Sequence, residues 1–162
     1  MDSWQPAYIG VGSNLADPRS QVQDAYRRLG QLPLTRLILT SRLYGSKPFG
    51  PVAQPDYVNA AAAVLTQLDP LALLYELRAI ETAMGRPAQR ERWGPRIIDL
   101  DLLAYGRERC SQPELTLPHS GIVERNFVLY PLAQITPDLE LPGLGRVDEL
   151  KGRVTSEGLS LL

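Results

Sequence analysis

Arg92-Trp93-Gly94-Pro95-Arg96-Ile97-Ile98-Asp99-Leu100-Asp101-Leu102-Leu103 passes from an arginine-tryptophan pair, through a Gly-Pro break and a second arginine, into a strand-like run. Successive side chains of a strand alternate faces, so Asp99 and Asp101 are expected on one side. Ile98, Leu100, Leu102 and Ala104 are then expected on the other, packed against a core. Two like charges on one sheet face repel and resist desolvation, and a cation between them is the natural compensation. A bare D-x-D is more often a solvated edge strand, so the rest of the chain has to decide.

The chain has 162 residues, most simply one domain spanning 1–162 with a sizeable core. An apolar fraction of 44% and a charged fraction of 22% are those of an ordinary globular protein. No run approaches the roughly 18 apolar residues of a membrane span. Met1-Asp2-Ser3-Trp4 lacks the basic and apolar segments of a signal peptide. Cys110 has no second cysteine to pair with, so the cytoplasm is the expected compartment. A net charge of −1 gives no support to a general nucleic-acid or membrane role. Of the seventeen basic residues only Lys47 and Lys151 are lysines, leaving fifteen arginines, whose planar forks suit phosphate oxygens. With a single histidine and a single cysteine, a His/Cys zinc site is excluded. Any metal would be carboxylate-bound, which points to magnesium or another hard cation.

Ala7 to Val11 reads as a first strand ending in Gly10-Val11-Gly12-Ser13-Asn14, too incomplete for a dinucleotide fingerprint. There is no Gly-Lys-Ser/Thr phosphate loop. Asp17-Pro18 reads as a capped helix start, with Val22, Tyr26 and Leu29 as its apolar stripe and Gly30 as its stop. Leu34 to Tyr44 reads as one long strand, and Gly45 to Asp56, with three prolines and two glycines, as an irregular loop. Tyr57 to Leu65 is a strand with Tyr57 and Asn59 on one face. Asp69-Pro70 opens an amphipathic helix carrying Leu73, Leu77, Ile80 and Met84 and closed by Gly85. After the arginine-rich segment 86–96 comes the aspartate strand. The order β-α-β-β-α-β is that of a ferredoxin-like α+β two-layer sandwich, here with a C-terminal extension. That fold puts two helices on one sheet face and can leave the other open, so Asp99 and Asp101 are expected in an open cleft. Beyond it, Val128 to Ile135 reads as a short helix, and the last twenty residues are weakly patterned.

Paired carboxylates beside clustered arginines suit phosphate-group transfer, where catalysis is mostly positioning and electrostatic stabilisation. Two carboxylates on one face can hold two Mg²⁺ ions. An arginine segment bounded by Gly85 and Gly94-Pro95 is suited to closing over a polyphosphate. These residues leave the acceptor open.

Arg92-Trp93-Gly94-Pro95-Arg96 with Asp99-Leu100-Asp101 resembles the signature of the 6-hydroxymethyl-7,8-dihydropterin pyrophosphokinase family. Gly12-Ser13-Asn14-Leu15, Gln54-Pro55-Asp56-Tyr57-Val58-Asn59-Ala60, Leu117-Pro118-His119 and Arg125-Asn126-Phe127 also match, in the family's order, over roughly residues 7 to 140. The resemblance implies a ferredoxin-like fold, a monomer, and transfer of pyrophosphate from ATP to the pterin's hydroxymethyl oxygen with release of AMP. It makes Asp99 and Asp101 ligands of two Mg²⁺ ions, and Arg86, Arg92 and Arg96 phosphate contacts. Tyr57 and Phe127 would sandwich the pterin and Asn59 would read its polar edge, while Ser46, Pro48 and Phe49 recognise it from the loop and Trp93 shuts over it. For ATP the resemblance implies Arg78, Glu81, Arg92, Trp93, Arg96, Leu102, Thr116, His119 and Arg125, with Trp93 shared between the substrates. The chain departs from the best-known bacterial pattern at Ala88, where a loop arginine is common and Arg90 is the candidate substitute. It departs again at Arg78 for glutamine, Ser120 for an aromatic and Glu114 for arginine.

Other readings are a ferredoxin-like nucleic-acid binder, a nucleotidyltransferase releasing pyrophosphate, and an inactive relative. The near-neutral charge and acids on the presumptive binding face oppose the first. The intact aspartates oppose the last.

Overall fold

A computed structural model of the protein describes residues 3–48, 50–51, 53–85 and 97–162. Phe49 and the arginine-tryptophan positions Arg86, Arg90, Arg92, Trp93 and Arg96, with Ala88, lie outside the described residues. The first part of the chain runs β1 (Gln5–Ser13), α1 (Pro18–Leu29), β2 (Thr35–Thr40), β3 (Tyr44–Ser46), β4 (Tyr57–Thr66), α2 (Pro70–Ala83) and β5 (Asp99–Tyr105). Then follow β6 (Cys110–Ser111), β7 (Thr116–Leu117), α3 (Asn126–Ile135), β8 (Glu140–Leu141), β9 (Gly145–Arg146), α4 (Val147–Gly152) and β10 (Leu159–Leu161). Among the described residues this is a mixed α/β fold of four helices on an antiparallel sheet ordered β10-β3-β4-β1-β5, with β2 also paired to β4.

The two helix starts behave differently. Asp69 caps α2 as expected, its carboxylate accepting the Ala72 N–H at 2.8 Å. Asp17 occupies the same position before α1 but makes no such bond. Its own backbone is left-handed (φ 62°), and the carboxylate instead accepts the Ser20 hydroxyl at 2.8 Å.

The expected long strand from Leu34 to Tyr44 is two strands. β2 and β3 both pair with β4 and are separated at 41–43, where the Ser41 hydroxyl accepts the Ala61 N–H at 2.9 Å. Gly45 and Ser46, expected in the irregular loop, belong to β3. The C-terminal residues are also more ordered than their pattern suggests, because β10 adds to the sheet beside β3.

One core lies between the sheet and α1 and α2. Ala7, Ile9 and Val11 of β1, Val58, Ala60, Ala62 and Val64 of β4, and Leu100 and Leu102 of β5 meet Val22, Leu29, Leu73 and Leu77. The opposite face is not open along its whole length, as the sequence suggested. Ala61, Leu103 and Ala104 pack there with Leu129 and Leu132 of α3 and Leu150 of α4 in a second cluster. Ala104 was expected with Ile98, Leu100 and Leu102. A register shift between Tyr8 and Ile9 against β5 moves it to the other side, since one extra residue reverses the alternation.

Candidate active site

On the sheet face opposite α1 and α2, three adjacent strands bring together residues far apart in sequence. Asn59 of β4 pairs with Gly12 of β1, which pairs on its other side with Asp99 of β5. One step along, Ala61, Gly10 and Asp101 form the next row. Neighbouring strands lie about 4.8 Å apart, so Asn59 and Asp99 stand about 10 Å from each other across a position with no side chain. A Cβ on Gly12 would come 3.5 Å from Asn59 Oδ1 and 3.7 Å from Tyr57 Cδ1. Gly12 thus floors a trough between Tyr57 and Asn59 on one side and Asp99 on the other, while the Leu103 side chain lies over Gly10.

The Asn59 end is tightly built. Asn59 is buried, its amide donating to Ser46 Oγ at 2.7 Å and to the Tyr44 carbonyl at 3.3 Å. Ser46 is buried too, while Tyr57, Phe127 and Pro48 are half-buried. Phe127 stands in the first turn of α3, with the Arg125 guanidinium 6.0 Å from its ring centre. Two asparagines in the matched motifs hold this end in place. Asn14 donates to Gln54 Oε1 at 2.8 Å and to the Pro55 carbonyl at 2.9 Å, tying the loop before Tyr57 to the end of β1. Asn126 donates to the carbonyls of Thr155 and Glu157, tying the start of α3 to the C-terminal segment. Their roles, and those of Gly10 and Gly12, were not read from sequence; the only signal was membership in the quoted motifs.

At the other end, burial and then the charge of Asp99 push the Asp101 carboxyl up to about 7. Arg125 and Arg78 act in the opposite direction without offsetting this. His119 Nε2 lies 4.0 Å from Asp101 Oδ1. His119 Nδ1 accepts the Gly121 N–H at 3.1 Å, so Nε2 carries the proton of the neutral ring. Burial, followed by Arg125, holds the His119 pKa below its ordinary value.

Beside Asp101 opens a polar cavity of about 170 Å³, whose walls include Arg78, Leu102, Thr116 and His119. It gathers four of the residues assigned to ATP by resemblance. Glu81 is not on its wall: it is 1% exposed, beneath Leu100. A second cavity of about 360 Å³ adjoins it, sharing Thr116, His119 and Ser120.

The aspartates suit a hard divalent cation. Gly12 of β1 puts no side chain beside Asp99, and two carboxylates on one sheet face are hard ligands of the type such a cation takes. No third His, Cys, Asp or Glu joins them in a cluster among the described residues, so phosphate oxygens and water would complete the shell.

The arrangement is a mixed α/β scaffold carrying a carboxylate pair between a trough and a polar cavity. The family model described as 7,8-dihydro-6-hydroxymethylpterin-pyrophosphokinase (HPPK) matches residues 8–137. The 2-amino-4-hydroxy-6-hydroxymethyldihydropteridine pyrophosphokinase of Pseudomonas aeruginosa is 47% identical over 158 residues, 98% of this chain and 97% of that one. That of Haemophilus influenzae is 49% identical over 144 residues, 89% of each chain. Among solved structures, wild-type Plasmodium falciparum HPPK-DHPS with pterin and p-hydroxybenzoate aligns with a TM-score of 0.77 at 16% identity, a likeness of fold. The alignment covers 99% of this chain, which spans about half of that longer one (47%). The chain belongs to the HPPK family.

Proposed function

We propose that the protein is an ATP-dependent pyrophosphokinase of folate biosynthesis, transferring the β,γ-pyrophosphoryl group of ATP to the hydroxymethyl oxygen of 6-hydroxymethyl-7,8-dihydropterin. The observation that carries this reading is the cross-strand row Asn59–Gly12–Asp99, which joins a trough for a flat ring to a carboxylate pair. It is supported by family membership over most of the chain. The hydroxymethyl oxygen forms a bond to the β-phosphorus, the bond from that phosphorus to the α,β-bridging oxygen breaks, and AMP leaves.

In this reading Tyr57 and Phe127 hold the two faces of the pterin and Asn59 reads its edge, with Ser46, Pro48 and Phe49 beside it. Asp99 and Asp101 would hold Mg²⁺, two ions being the expected complement. The ions supply charge neutralisation and Lewis acidity on the phosphates. Arg78, Leu102, Thr116 and His119 line the nucleotide cavity. Arg125, beside the Phe127 ring, would contact ATP. Arg86, Arg92 and Arg96 remain assigned to phosphate and Trp93 to the pterin by resemblance.

We read the core order β3-β4-β1-β5, with α1 and α2 on one face, as the ferredoxin-like plait, and α3 to β10 as its C-terminal extension. A monomeric cytoplasmic enzyme completes the proposal. No helix among the described residues is long and apolar enough to cross a membrane. The decisive experiment incubates the protein with ATP, Mg²⁺ and the pterin. AMP and a diphosphorylated pterin are expected; ADP, free pyrophosphate or no turnover overturns the reading.

A further inference from the structure

β5 is an edge strand, bonded to β1 on one side only. Its outer backbone groups would be left unpaired, and an unpaired polar group in a buried setting is costly. Among the described residues no neighbouring strand satisfies them. Glu81 Oε2 accepts the Leu100 N–H at 2.8 Å, and Arg78 Nη1 donates to the Leu100 carbonyl at 3.1 Å. The same Arg78 nitrogen donates to Glu81 Oε1 at 2.9 Å, so the two side chains close a ring on the backbone N–H and C=O of one residue. Farther along, the His119 N–H donates to the Leu103 carbonyl at 2.8 Å.

Leu100 lies between Asp99 and Asp101. Holding its backbone fixes the spacing and facing of both carboxylates. Arg78 has a second attachment: it is 48% exposed at the side chain and forms part of the wall of the cavity beside Asp101. Glu81, buried near the C-terminal end of α2, could not be carried there as a lone anion, and Arg78 at i−3 provides a counter-charge.

We propose that Arg78 and Glu81 are a positioning pair that substitutes for a missing strand at the outer edge of β5, and that Arg78 links the nucleotide cavity to the alignment of Asp99 and Asp101. This rests on the pyrophosphokinase reading for its kinetic consequence, though not for its structural one. The role differs from direct recognition of adenine, which requires only cavity-facing atoms. It also differs from simple fold support, because the braced backbone joins the two acids, whereas Leu100 contributes to the core through its side chain.

The test is Arg78→Ala, with Arg78→Gln as the rescue, since an amide still donates to Glu81 or to the Leu100 carbonyl. Amide hydrogen exchange of ligand-free protein is read first, because it does not depend on activity. In Arg78→Ala, exchange at Leu100 should rise about tenfold relative to Val11 and Ala62, and Arg78→Gln should restore it. At saturating ATP and Mg²⁺, kcat should fall about 10- to 100-fold, the cost of a misplacement below ~1 Å, with the pterin KM within about twofold. Arg78→Gln should recover most of kcat. A variant that only raises the ATP KM, with kcat and Leu100 protection intact, overturns the proposal in favour of a nucleotide contact. A lowered Tm with unchanged kcat overturns it in favour of fold support. If the wild type does not turn over the pterin, the function reading fails, and Leu100 exchange alone decides the brace.

Discussion

Asn59 and Asp99 are the two ends of one cross-strand row, and the residue between them, Gly12, has no side chain. β4 supplies the polar edge, β5 the acid and β1 the gap. A substrate wide enough to touch both ends must lie over Gly12, which makes that position a determinant of what fits.

Gly12→Ala should fold normally, because the new Cβ makes only ordinary contacts with Asn59 and Tyr57. It would occupy the floor of the trough. Pterin affinity should fall at least about 10-fold, or 1.4 kcal/mol, while ATP affinity stays within about twofold. Titration calorimetry with each substrate checks this; equal losses for both would place the pterin elsewhere.

Asp101→Asn should stabilise the ligand-free protein while disabling it. A carboxyl whose folded pKa lies near 7, against an ordinary 3.8, binds its proton more tightly in the folded state. The wild type therefore loses stability as pH rises from about 4, with the full cost present above pH 7. The neutral amide escapes this loss. With the side chain 29% exposed, the gain above pH 7 should be about 2 kcal/mol, several degrees in Tm, vanishing below pH 4. Thermal melts of both proteins across pH 4–8 measure it. A gap that does not widen with pH would show that Asp101 is not raised.

Millimolar Mg²⁺ with a non-hydrolysable ATP analogue should raise the Tm of the wild type by several degrees and that of Asp99→Asn or Asp101→Asn by much less. Chelation should reverse the shift. Turnover by either variant should fall about 10²- to 10³-fold, in line with loss of a preorganised electrostatic group. Equal shifts in wild type and variants would mean that the cation binds away from these acids.

Asp69→Ala tests a residue remote from the proposed chemistry. Removing the acceptor of the Ala72 N–H should cost about 1 kcal/mol and leave kcat unchanged. The matching change at Asp17, which makes no cap bond, should cost less. Denaturant melts of the two variants provide the comparison.

Local patterning was enough to mark β1, β4, both long helices and α3, because each has a clear alternation or helical stripe that the core then buries. It failed at β2 and β3, where one apolar run breaks at Ser41 because that hydroxyl takes a hydrogen bond from the central strand. It failed again at Ala104, where the period-2 rule was broken by a register shift that local sequence does not encode. The C-terminal strand β10 has too few residues to show a period at all and exists only because β3 offers it an edge.

For the candidate site the division is similar. Residue types pointed to the paired acids, and the resemblance of the ordered motifs implied the stacking aromatics and the polar-edge asparagine. Only the tertiary structure decided that Gly12 lies between Asn59 and Asp99, that Asn14 and Asn126 anchor the flanking segments, and that Glu81 is turned inward under Leu100. Cross-strand rows and edge-strand bonds join residues from 19 positions apart (Glu81 and Leu100) to 87 apart (Gly12 and Asp99). Such pairings arise from strand register and from the need to satisfy buried backbone groups, both of which are properties of the assembled sheet.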